Sequence, residues 1–379
     1  MAESIRQYYR VLKQASPAKS SCLRDCTGVV IYGAGNVGKD VCRLLTGRGI
    51  PVRCFLDQKA QLGDHWQGVP ILQPGQLEID PAERATLCVI VAIFNAYVEM
   101  PPILKQLSTY GFSRVVSFLD FFEEFPTELG DRFWLTSRSF YLSLEPILTE
   151  AASIWADRRS RDLFDAVLAF RFTGAYETLP PADLGSQYFP KDIPQWNAPL
   201  RFVDCGAYDG DTLLQLAGTD YPVEAIAAFE PDPVNFGKLA QCVRQAGPPP
   251  PASLLWPCGV HPHTTQLRFC GGGASSSHLA VEGDQTIQCV ALDDALTGFR
   301  PSLIKMDVEG AEYDALLGAR RLIEQNRPGL AICLYHRPEH LWQIPLLIRR
   351  WDLGYKLRLR VHWHNSFELV MYANQEGNR

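Results

Sequence analysis

LRFVDCGAYDGDTLLQLAG, residues 200–218, is the stretch on which the fold is decided. Its apolar opening, 201–205, reads as a strand, and 209–217 reads as a helix. Between them Gly206 and Gly210 let the backbone turn sharply against a ligand. The helix points its first amides into that turn, where a carboxylate can be held. One strand further on, 225–230 ends in AFEPDP, which places Glu230 at a strand end twenty residues beyond Gly210. An acid there can accept two hydrogen bonds from a ribose diol. Working outward, the pattern continues as helix 233–246, strand 254–260 and a short hairpin around HTTQLRFCGGG. Strand 302–308, helix 309–325, strand 329–335 and helix 338–352 follow. YKLRLRVHW and FELVMYA then read as an antiparallel hairpin on the sheet edge. GPPPP, 247–251, reads as a surface loop, and GGGASSS, 271–277, as either an acceptor cover or a hairpin tip.

A second turn of this kind lies near the start, in GVVIYGAGNVGKDVCRLLTGRG, residues 28–49. Gly33, Gly35 and Gly38 complete G-x-G-x-x-G between a strand and an amphipathic helix. Asp57 ends the next strand, where it suits a ribose diol. Asn36 and Lys39 add phosphate donors, so NAD or a sugar nucleotide is the candidate ligand. Further strands at 87–93 and RVVSFLD suggest a Rossmann-like nucleotide-binding-type domain over 1–120. Residues 121–195 read as a helical bridge followed by a Pro-rich linker, and 196–379 as the second α/β domain. At 379 residues the chain suits two or three such bodies.

The strand SLIKMDV carries chemistry. Leu303, Lys305 and Asp307 share one face, and Asp307 sits at the carboxyl end, where ligands of open α/β sheets bind. His336 ends the neighbouring apolar strand. It can serve as a general base, or share a divalent metal with Asp307. Asp307, His336 and Lys305 are thus the catalytic candidates. Glu309 reads as an acid at a helix start. His336 to His340 formally matches H-x-x-E-H, but a strand leads into His336 and Pro338 starts the helix, which excludes the zinc-peptidase geometry. His261, His263, His362 and His364 alternate on strand faces and suit a cleft or an exposed edge. Eleven cysteines, most within apolar runs, read as small buried hydrophobes.

VDCGAYDGDT, AFEPDPVNFGKL, VALDDAL, LIKMDVEGAEYDALLGA and YHRPEHLWQIP together resemble the FkbM family of S-adenosylmethionine-dependent methyltransferases, over about 200–373. The resemblance implies an α/β fold with a class I methyltransferase Rossmann-like sheet, here preceded by the smaller Rossmann-like domain. It implies methyl transfer from S-adenosylmethionine to a hydroxyl of a sugar or polyketide-like small molecule. By the same resemblance Asp204, Gly206, Ala207, Tyr208, Asp209, Gly210 and Asp211 hold the methionine part of the cofactor. Glu230 holds the ribose, and Cys258 and Gly259 lie along the adenine. Tyr208 departs from the glycine that many such enzymes carry there. The rival readings are a nicotinamide-dependent oxidoreductase using Gly33 to Asp57 and a non-catalytic sugar-nucleotide sensor. A net charge of −6 argues against nucleic acid as partner. No apolar run reaches the ~18 residues of a membrane span, and the opening lacks a secretory signal, so a cytoplasmic location is expected.

Overall fold

Short apolar runs bounded by glycine, proline and acids cannot reach helical length here, and they form strands. The computed structural model describes residues 6–7, 9–10, 21–112, 114–185, 187–245, 252–271, 278–279 and 285–375. The GPPPP loop and residues 272–277 of GGGASSS lie outside the described residues. The chain divides into two compact units. The first comprises 1–149, 165–181 and 363–367, and the second 150–164, 182–362 and 368–379. Residues 121–195 are therefore distributed over both units rather than forming a third.

In the first unit, β1 (Gly28–Tyr32), β2 (Val52–Leu56), β3 (His65–Trp66), β4 (Val69–Leu72), β5 (Leu87–Val91) and β6 (Arg114–Ser117) form one sheet. Its order is β3-β4-β2-β1-β5-β6, with only the β3–β4 pair antiparallel. β1 and β5 are buried throughout, as expected of central parallel strands covered on both faces. The helix Asn36–Gly47 buries Val41, Cys42 and Leu45. Gly38 fits under it because a Cβ there would lie 2.0 Å from the Gly33 carbonyl oxygen. The helical part of 121–195 includes two longer helices, Glu145–Ala152 and Arg158–Thr173, rather than one continuous run. Asp157 breaks it by accepting the Ser160 amide at 2.7 Å, an N-cap that starts the second helix afresh.

The second unit is built on β7 (Leu200–Cys205), β8 (Val223–Phe229), β9 (Ala252–Trp256), β14 (Leu303–Met306), β15 (Gly329–Cys333), β16 (Lys356–Val361) and β17 (Leu369–Asn374). Their order is β16-β17-β15-β14-β7-β8-β9. β7, β8, β9, β14 and β15 run parallel, and β17 enters antiparallel between β15 and β16. The closing hairpin thus inserts its second strand into the sheet. A small separate sheet holds β10 (Gly259–Val260), β11 (Thr265–Cys270), β12 (His278–Leu279) and β13 (Gln285–Val290). The strand expected over 254–260 is split between the two sheets. The helix expected over 309–325 starts only at Glu312 and breaks after Leu317. Positive φ at Glu309 (52°) and Gly310 (97°) delays its start. At the break, a Cβ on Gly318 would meet the His261 carbonyl oxygen at 2.3 Å.

Because the chain leaves β7 toward β8 on one side and receives β14 on the other, a crevice opens past their carboxyl ends, the place where such sheets bind ligands. Among the described residues no helix is long and apolar enough to cross a membrane.

The two ends of the first glycine motif make opposite demands on a side chain. Gly38→Ala should lower stability by about 2–4 kcal/mol in urea unfolding, because backbone oxygen cannot move aside. Gly35→Ala, whose Cβ meets nothing within 4 Å, should stay within about 1 kcal/mol of the parent. Equal stabilities for the two variants would refute this account of the turn.

Candidate active site

Gly206 follows β7 at φ +77°, and a Cβ there would lie 1.8 Å from the Asp307 carbonyl oxygen. Only glycine fits so close a crossing. The amides of Gly206 and Ala207 both donate to the Phe229 carbonyl at 3.0 Å, which ties the turn to the end of β8. Tyr208 takes a positive φ of 47°, a conformation that favours glycine. Its amide donates to Glu230 Oε2 at 2.9 Å. Gly210, at φ +94°, begins the helix Asp211–Ala217.

Under this turn lies a buried ion pair. Asp204 is fully buried, and its Oδ1 is 2.9 Å from Lys305 Nζ, itself 2 % exposed. The same ammonium donates to the Gly206 carbonyl at 2.6 Å. Burial pushes the Asp204 carboxyl up to about 6, with Lys305 opposing the rise. Burial works to neutralise Lys305, but Asp204 and Asp307 outweigh it and hold the ammonium charged. Lys305, expected among the catalytic residues, is a brace beneath the turn.

Glu230, at the end of β8, is nearly buried, and burial raises its carboxyl to about 7 against the pull of two backbone amides. Those amides belong to Tyr208 and to Asp232, the latter donating to Oε1 at 2.8 Å. Cys258, held neutral by burial beside Cys289, and half-buried Gly259 sit where the chain passes from β9 to β10. Asp209 is half-buried and Asp211 exposed on the mouth of the turn.

At the other side of the crevice Asp307 and His336 do converge. Asp307 Oδ2 accepts from the Tyr188 hydroxyl at 2.7 Å, and Oδ1 lies 3.3 Å from His336 Nε2. Glu309 Oε2 is 3.7 Å from the same nitrogen. The other ring nitrogen, Nδ1, lies 2.7 Å from Glu312 Oε1. Glu312 is wholly buried, accepts the amides of Val308 (2.8 Å) and Gly310 (3.3 Å), and pairs with His340 at 3.1 Å. Burial alone would neutralise both partners. Instead Glu312 is held far below the usual carboxylate range by the two histidines, and His336 is raised to about 10 by Glu312, Glu309 and Asp307. A histidine that keeps its proton this firmly is poorly suited to the base role expected of it. Burial lifts Glu309 to about 8 and Glu368 to about 7. Glu368 accepts from Tyr335 (2.8 Å) and Gln187 (2.6 Å).

Tyr188, Gln187 and Glu368 were not anticipated. The first two lie in a Pro-rich stretch read as linker, and the third follows a turn between strands, so none carried a local signal. Glu309 and Glu312 did have one, the density of acids in KMDVEGAE. The remaining histidines lie apart from this cluster. His261 and His263 contact each other on an exposed turn, while His362 is buried between the Asp183 carbonyl and the Tyr372 hydroxyl. In the first unit the glycine turn forms as expected, yet Asp57 already accepts the amides of Ala34 and Lys59, each at 2.9 Å.

Residues 204–357 match the family model described as the methyltransferase FkbM domain. Among solved structures, the crystal structure of methyltransferase FkbM from Methylobacillus flagellatus KT is similar, with a TM-score of 0.79 at 22% identity over 98% of each chain. At that identity it attests the fold. No curated protein matches the chain.

Removing the ammonium under the turn should leave a buried carboxylate unpaired. Lys305→Met is expected to lose about 3–5 kcal/mol of stability at neutral pH. A raised folded pKa means that the stability linked to Asp204 is present at low pH and is lost as pH rises through about 6. The deficit of the variant should therefore shrink in acid. Urea unfolding at pH 7.5 and 5 would show this, and a deficit that grows in acid would contradict it.

Proposed function

We propose that this chain, a methyltransferase of the FkbM family through residues 204–357, transfers the methyl group of S-adenosylmethionine to a hydroxyl of a sugar or polyketide-like small molecule. The observation that carries the reading is the placement of the Gly206 turn, Glu230 and Asp307 at successive strand ends around one crevice.

The residues suit that donor. An ionised carboxylate has about four acceptor positions, and Glu230 uses two on its own backbone. The remainder are available to two ribose hydroxyls. Asp209 and Asp211 at the mouth of the turn supply negative charge for the amino group, and the bend at Cys258 and Gly259 provides a seat beside the base. When bound, S-adenosylmethionine supplies a methyl group on a sulfonium, an already activated leaving group. The C–S bond breaks with its electron pair staying on sulfur, the oxygen–methyl bond forms, and the hydroxyl proton goes to solvent. Much of the acceleration then comes from holding the two reactants in line. Asp307, half-buried and oriented by Tyr188, is the group that faces the acceptor hydroxyl. His336 fixes the other oxygen of that carboxylate.

Two outcomes are expected. Only ionised Glu230 can accept from both ribose hydroxyls, so donor affinity should rise with pH, by up to tenfold per unit, and level off above about 7. Glu230→Gln should flatten this dependence and weaken binding by about 1–3 kcal/mol at pH 8. Calorimetry across pH 6–8 measures both, and an unchanged profile in the variant would move the ribose elsewhere. Asp307→Asn should lower turnover by roughly a hundredfold while donor affinity changes little. Wild-type turnover in that variant would return Asp307 to a structural role.

A further inference from the structure

Residues 183–196 are stitched to β16 and β17. Asp183 donates its amide to the Val361 carbonyl at 3.1 Å, and its own carbonyl faces His362 Nδ1 at 3.1 Å. Further along, Asp192 pairs with Arg360 at 2.7 Å, and the Pro194 carbonyl accepts from Asn374 at 3.2 Å. In the middle stands Tyr188, buried and held at φ +67°. A bulky L residue adopts that left-handed backbone only where its surroundings enforce it. Two side chains enforce it here. The Tyr188 amide donates to the Tyr372 hydroxyl oxygen at 3.2 Å, and the Tyr188 carbonyl accepts from the Trp196 indole at 3.0 Å. Lys305 Nζ, 5.3 Å from the centre of the Tyr188 ring, supports its face.

The direction of each hydrogen bond along this path is fixed by chemistry. A carbonyl can only accept, so the His362 proton sits on Nδ1, facing Asp183. Nε2 is then bare, and the Tyr372 hydroxyl, 2.7 Å away, donates to it. With its proton committed to His362, the Tyr372 oxygen accepts the Tyr188 amide. At the other end the Tyr188 hydroxyl accepts from Gln187 Nε2 at 2.9 Å, so its own proton goes to Asp307 Oδ2 at 2.7 Å. His362 and Tyr372 are both buried, and burial holds the imidazole below its ordinary value, in the neutral form. A protonated Nε2 would deprive the Tyr372 hydroxyl of this acceptor.

We propose that His362 is a positioning residue for Asp307. Its bare Nε2 fixes the Tyr372 hydroxyl, Tyr372 holds the Tyr188 backbone, and Tyr188 delivers its hydroxyl to the Asp307 carboxylate. A carboxylate oxygen that receives a fixed O–H donor is held in one orientation, and outlying partners of this kind set the geometry of the group they serve. His362 thus acts at a distance, through two tyrosines, from a strand that carries no other part of the site. The importance of this chain for turnover rests on the methyl-transfer reading, whereas the chain of hydrogen bonds does not.

The test uses the isotopically labelled full chain in nuclear magnetic resonance, with no acceptor present. The ring nitrogens of His362 should report Nδ1 protonated and Nε2 bare, and Tyr372→Phe, which removes one oxygen and little volume, should shift chiefly Nε2. Two substitutions then separate the hydrogen bond from mere bulk. A glutamine carboxamide can place its oxygen where Nε2 stands, whereas an asparagine carboxamide reaches only the place of Nδ1. His362→Asn and Tyr372→Phe should each quicken exchange of the Tyr188 amide by about tenfold, while His362→Gln stays within about threefold of the parent. The Tyr188 hydroxyl proton, identified by its loss in Tyr188→Phe, should be protected in the parent and in His362→Gln and lost to exchange in the other two. A protonated Nε2 would overturn the proposal, as would a Tyr188 that responds alike to His362→Gln and His362→Asn. Calorimetry with S-adenosylmethionine keeps the two readings apart. The expected resonances in a chain that does not bind S-adenosylmethionine would uphold the positioning chain and overturn the methyl-transfer reading instead.

Discussion

The ion pair of Asp204 and Lys305 is the constraint on which the second unit depends. Both groups are removed from water at the junction of β7 and β14, and neither would be tolerated there alone. Lys305 reaches past its partner to the Gly206 carbonyl, and Gly206 in turn crosses directly under the Asp307 peptide. The Gly206 turn and the Asp307 carboxylate are thus built on one brace. A change to either is felt by the other through backbone, and backbone cannot repack as a side chain can.

Charge is distributed unevenly around the crevice. Glu230, Glu309 and Glu368 are all raised toward or above neutrality by burial, while Glu312 is held ionised by two histidines. The difference is one of partners. Glu312 has two histidines and two amides on its oxygens, and it behaves as a fixed anchor. The others face like charges, so their charge state responds to what binds beside them. A positively charged group is the natural electrostatic complement to such a surface.

Local pattern made the strands and glycine turns legible, because a buried parallel strand is an apolar run and a close backbone crossing demands glycine. Strand alternation put Lys305 on the correct face with Asp307, yet could not say that Asp204 on the neighbouring strand would capture it. The same limit hid Tyr188, Gln187 and Glu368, whose roles come from partners far along the chain. Glu309 was misread for a different reason. An acid just before a helix suggests a dipole partner, but left-handed backbone at Glu309 and Gly310 postpones the helix and turns the side chain toward His336. In the first unit the glycine turn is legible in the same way, although Asp57 gives one oxygen to the turn's Ala34 amide and the other to the amide of Lys59, two residues after it.

The pairing of β7 with β14 joins Phe202 to Leu303 and Asp204 to Lys305. The segment from β8 to β13 is therefore an excursion between two strands that pair with each other across a long stretch of sequence. Contacts of such long range form slowly. During synthesis the flank of β7 that β14 will cover is a bare, apolar sheet edge until about a hundred further residues have been made, and bare edges invite association with other chains. Burial of the Asp204–Lys305 pair and protection of that edge arrive in the same event, so the nascent chain depends on shielding of the edge until β14 has been made.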